Sequence, residues 1–115
     1  MNASIIDAAT FTELQESAGA DFVAELVDTF LEETPALLNE LRSARQQGDA
    51  DGFRRAAHSI KSNSQTFGAL GLGALARDIE LQGLHPDAAV DLQAIDALQV
   101  AYADAAAALK ELRDV

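Results

Sequence analysis

The chain contains no cysteine, no tryptophan and only two prolines in 115 residues. Without thiols it forms no disulfide and no thiolate metal site, and a reducing compartment, the cytoplasm, is its expected location. Basic residues are scarce: eight Lys and Arg stand against nineteen Asp and Glu, a formal net charge of -11. So acidic a chain opposes general binding to nucleic acid or to anionic membrane. No apolar run approaches the ~18 residues of a membrane span, and the stretch from Met1 to Ala9 lacks the basic start of a leader. A soluble, unprocessed protein is expected. What is present is an ordinary globular composition, 49% hydrophobic and 23% charged, in a length that suits a single domain over residues 1–115.

Ala, Leu, Glu, Gln and Asp fill the spaces between the few glycines and prolines, which favours helix throughout, and strand alternation is absent. Thr10 or Thr12 is expected to cap a short helix around Phe11 to Ser17, closed by Gly19, with Asp21 opening the next. From Asp21 to about Gln47, Val23, Leu26, Val27, Phe30, Leu37, Leu41 and Ala44 recur at helical spacing, with acids on the other face. Pro35 should kink this helix, a break being the lesser alternative. Gly48, with Asp49 or Asp51 as cap, separates it from a helix over Gly52 to Phe67. Another spans Ala69 to Gln82 on a stripe of Leu72, Leu75, Ala76 and Ile79. After a turn over Gly83 to Pro86, the last starts near Asp87 and buries Leu92, Ile95, Leu98, Ala105, Leu109 and Leu112. Helices of this length on short loops pack antiparallel, giving an all-α four-helix bundle with a short extra N-terminal helix.

One helix carries more than packing. With Ile60 at the centre of its apolar side, Phe53, Ala56, Ala57, Ser64 and Phe67 fall around it, and His58 falls almost opposite. Arg54, Arg55, Ser62 and Gln65 share that outward face, with Lys61 at its flank. A histidine there is not explained by the core, although a lone surface histidine is ordinarily a solvated polar residue. The charge distribution argues otherwise. All nineteen acids lie outside Gly52 to Arg77, a window that holds Arg54, Arg55, Lys61 and Arg77. A positive field around an exposed imidazole suits a phosphate group or an acidic partner surface.

The bend at Gly68 and Ala69 adds a second constraint, because residues equidistant from it lie side by side in an antiparallel pair. His58 is eleven before Ala69 and Glu80 eleven after. The same symmetry pairs Lys61 with Arg77. A carboxylate accepting from Nδ1–H would fix the tautomer and leave the Nε2 lone pair outward as a nucleophile. A solvated Glu80 is the alternative.

The run Ala57-His58-Ser59-Ile60-Lys61-Ser62-Asn63-Ser64-Gln65-Thr66-Phe67-Gly68-Ala69 resembles the signature of histidine-containing phosphotransfer (HPt) domains. That family's fold is a four-helix bundle with an extra helix. The resemblance implies that His58 accepts and passes on a phosphoryl group, that Lys61 lies near the phosphate and that Glu80 orients the ring. Many members carry glycine directly after the lysine. Ser62 stands there in this chain, and its side chain would narrow the partner's approach or add a hydrogen bond to the phosphate.

The expected function is that of a phosphoryl carrier between receiver-domain aspartates in a multistep two-component phosphorelay. Its partners would be response-regulator receiver domains or hybrid sensor histidine kinases, it would act as a monomer, and it would need no cofactor, Mg²⁺ residing on the receiver. No glycine-rich phosphate loop is present, so no ATP site and no enzymatic activity of its own are expected: Gly68, Gly71 and Gly73 follow no strand. His58 and His85 form no metal spacing. The main alternative is a helical protein-interaction module without phosphotransfer. A small acid–base enzyme using His58 and Glu80 is weaker, since a bundle offers no evident pocket.

Overall fold

The computed structural model describes residues 5–114. Residues 1–4, part of the stretch read above for a leader, and Val115 lie outside them. The described residues form five helices and no strand: α1 (Ala8–Ala18), α2 (Ala20–Gln47), α3 (Ala50–Thr66), α4 (Leu70–Gln82) and α5 (Ala88–Asp114). The longest dimension, 44 Å, is close to the ~42 Å that 28 helical residues span at 1.5 Å each, so α2 sets the length of the bundle. The core joins Val23, Val27, Phe30, Leu38 and Leu41 of α2 to Phe53, Ala57 and Ile60 of α3, Leu72, Ala76 and Ile79 of α4, and Ile95, Leu98 and Leu109 of α5.

Local sequence explains most boundaries, and some differ from expectation. Asp7, rather than Thr10 or Thr12, caps α1: its carboxylate accepts from the Thr10 amide and hydroxyl, so the helix starts three residues earlier than Phe11. Asp21 lies inside the first turn of α2 and caps nothing, the N-cap being Gly19. There its charge still suits the positive helix end. Asp49 caps α3 through the Gly52 amide and moves its start to Ala50. α2 runs unbroken through Pro35. Leu92 is 43% exposed rather than buried, Asp91 taking the inward place beside it. Within α2, Leu26 and Leu37 are only partly buried, while Thr34 and Leu38 are fully so.

The bend between α3 and α4 is held from both sides. Gly68 adopts φ +83°, a conformation that side chains resist, and a Cβ there would stand 2.9 Å from the Asp7 carbonyl oxygen. The Asp7 amide donates to the Gly68 carbonyl at 2.8 Å, so the start of α1 braces the turn. At the far end, the Arg45 guanidinium donates to the His85 carbonyl and to the buried Asp91 carboxylate, which also accepts from the His85 amide. His85 is thus a loop residue, its Nδ1 accepting from the Asp87 amide.

Candidate functional site

The register of α3 against α4 is fixed by three levels of contact. Nearest the bend, Gly73 lets α4 close on α3: a Cβ there would meet the Gln65 side chain at 3.3 Å and the Lys61 carbonyl at 3.7 Å. In the middle, His58 meets Glu80. Farthest from the bend, the Arg54 guanidinium lies against Gly83, where a Cβ would come within 3.0 Å of it. Arg54 thereby puts a cation at the C-terminal, electronegative end of α4. Residues descending α3 meet residues ascending α4, as two antiparallel helices of equal rise require.

His58 Nδ1 lies 2.8 Å from Glu80 Oε2, and Lys61 Nζ lies 2.8 Å from Glu80 Oε1. The imidazole is 57% exposed, whereas the Lys61 and Glu80 side chains are 22% and 24% exposed. The hydrogen bond from the Lys61 ammonium holds the Glu80 carboxyl below the ordinary carboxylate range; burial opposes this and the His58 bond assists it. An ionised carboxylate only accepts, so Nδ1 carries the proton and donates it. In the neutral form of the ring the lone pair is then on Nε2.

Lys61 does not pair with Arg77, as symmetry about the bend would have it. Its four-carbon stem reaches Glu80, one turn farther along α4. Arg54, Arg55, Ser62, Gln65 and Arg77 are all exposed, and among the described residues none of the three arginines forms an ion pair. The hydroxyl of Thr66 donates to the Ser62 carbonyl within α3. No helix among the described residues is long and apolar enough to cross a membrane.

The site of this all-α bundle is thus a half-exposed imidazole held at Nδ1 by a carboxylate, on a pair of helices that also carries three arginines without an ion pair among the described residues. The sequence matches the Hpt domain family over residues 25–113, and the chain belongs to that family. Its function is histidine phosphotransfer in a phosphorelay, where Hpt domains work with receiver domains and kinases of two-component systems as phosphocarriers. The fold is similar to the crystal structure of histidine-containing phosphotransfer protein B (HptB) from Pseudomonas aeruginosa PAO1. Identity is 27%, 97% of this chain and 96% of that chain are covered, and the TM-score is 0.85. No match was found among the curated proteins.

Proposed function

We propose that the phosphoryl group is carried on Nε2 of His58. The supporting observation is the 2.8 Å contact between Nδ1 and Glu80 on a ring that is 57% exposed. A receiver domain presents its phosphorylated aspartate, and the Nε2 lone pair attacks phosphorus in line with the leaving oxygen. The acyl O–P bond breaks as the N–P bond forms, and the aspartate leaves as a carboxylate. The ring keeps its Nδ1 proton and gains positive charge, which faces Glu80. The same steps in reverse deliver the group to an aspartate of a second receiver. A loose phosphoryl transition state needs alignment and charge neutralisation more than covalent machinery. The chain therefore acts as a carrier without an ATP site, while Mg²⁺ and the acid pocket belong to the receiver. Arg54, Arg55, Arg77, Ser62 and Gln65 form the surface that meets the partner, a receiver domain of a response regulator or of a hybrid kinase. We read the chain as a single-domain cytoplasmic monomer.

His58→Gln tests this directly. Incubated with a phosphorylated receiver, the wild type should take up label that is stable to alkali and lost in acid, and the variant should take up none while keeping its helical circular dichroism. His85→Gln should label normally. Label on the His58 variant, or its loss in the His85 variant, would overturn the assignment.

A further inference from the structure

Glu80 holds two partners, and only one of them is explained by orienting the ring. Oε2 accepts from His58 Nδ1–H while Oε1 accepts from the Lys61 ammonium, both at 2.8 Å. Nδ1 and Nε2 stand on different edges of the imidazole, so a lysine bound to the carboxylate at Nδ1 is drawn toward that edge and not toward Nε2. Lys61 and Glu80 are also less than half as exposed as the ring above them. We propose that Glu80 is a positioning residue for Lys61 as well as for His58: it keeps the lysine engaged beside Nδ1 in the unphosphorylated protein, and the phosphoryl group must compete with it for the ammonium.

This inference rests on His58 being the phosphoacceptor, and deepens that reading. A doubly charged phosphoryl group with three acceptor oxygens is a strong rival for an ammonium. A carboxylate in direct contact retains part of that ammonium's interaction, so the charge of Glu80 limits how much of Lys61 the phosphate obtains. Glutamine at this position would still accept from Nδ1–H through its amide oxygen, but would release the lysine.

Four proteins decide the matter: wild type, Lys61→Ala, Glu80→Gln and the double variant. Each is charged with phosphoramidate, whose P–N bond to the departing ammonia breaks as the Nε2–P bond forms. The decay of phosphohistidine is then followed by ³¹P NMR. Lys61→Ala should shorten the lifetime less than about twofold beside Glu80 but about fivefold in the Glu80→Gln background, the effect of one ammonium–phosphate contact. In the unphosphorylated protein, the Lys61 ¹⁵Nζ ammonium signal should be protected from exchange in the wild type and lost in Glu80→Gln, which simple loss of packing would not produce selectively. Equal lifetime factors in the two backgrounds, or an ammonium signal indifferent to Glu80, would overturn the proposal. A phosphohistidine signal surviving in His58→Gln would instead overturn the site assignment beneath it.

Discussion

A carboxylate has two oxygens, and Glu80 commits each to a different donor, so its titration reports on the whole site. Its pKa is lowered chiefly by the hydrogen bond from Lys61, with burial acting in the opposite direction and His58 adding a smaller downward push. A carboxyl depressed in the folded state contributes stability that is complete above its unfolded pKa and lost as pH falls through the folded value. The three-residue contact should therefore persist into acid that protonates an ordinary glutamate, and then release ring and lysine together. In Lys61→Ala the Glu80 midpoint should rise toward the usual range, as read from its side-chain ¹³C carboxyl shift; an unmoved midpoint would remove Lys61 from the site. The meeting of His58 with Glu80 was legible from counting about the bend, because antiparallel helices climb at the same rate. The Lys61 contact was not, since a long side chain reaches a full turn beyond its own level and leaves no trace in periodicity. Asp7 escaped for another reason: Thr10 and Thr12 are good caps by type, but the carboxylate three residues before Thr10 caps the Thr10 amide and starts the helix upstream of both threonines.

At the scale of elements, α2 poses the clearest problem, because Pro35 sits inside a helix of 28 residues. Proline has no amide, so the carbonyl of Leu31, four residues earlier, loses its helical donor. The hydroxyl of Tyr102, on α5, donates to that carbonyl at 3.1 Å. Its ring lies against Phe30 with centroids 5.8 Å apart, and Phe30 in turn meets Phe67 edge-on at 5.4 Å. Burial pushes the Tyr102 phenol up, which keeps it protonated and donating at neutral pH. Tyr102→Phe leaves the ring in place and removes only the donor, so it should cost about 1 kcal/mol. In urea unfolding this should appear as a lower midpoint with unchanged slope; an unchanged midpoint would mean that water serves Leu31 equally well. The proline and the helix period were both visible in the sequence. The tyrosine that completes the helix was not, because it lies 71 residues from Leu31 and nothing in local pattern links the two. The same limit explains Leu92, whose helical spacing suited the core although the buried Asp91, paired with Arg45 of α2, took the inward place.

At the scale of the molecule, a chain of net charge -11 carries three exposed arginines, Arg54, Arg55 and Arg77, on the two helices that hold His58 and Glu80. This arrangement acts on encounter more than on chemistry. On the partner surface proposed above, such cations would attract an anionic partner that the acidic remainder repels, so that the field would turn the partner before contact. Arg54 is committed against Gly83, which leaves Arg55 and Arg77 as the informative pair. Both are exposed and without an ion pair among the described residues, so reversing them should leave folding nearly unchanged. Arg55→Glu combined with Arg77→Glu should slow transfer from a phosphorylated receiver at sub-saturating concentration by about tenfold at low ionic strength. The deficit should shrink as salt rises past about 0.1 M, where the screening length falls to roughly 10 Å. Lys110→Glu, on the exposed side of α5, changes net charge without touching the site and should have little effect. Rapid-quench measurements across a salt series separate the cases: equal losses from Lys110→Glu would mean that net charge alone governs encounter, and a salt-independent deficit would mean that the arginines act by contact after docking.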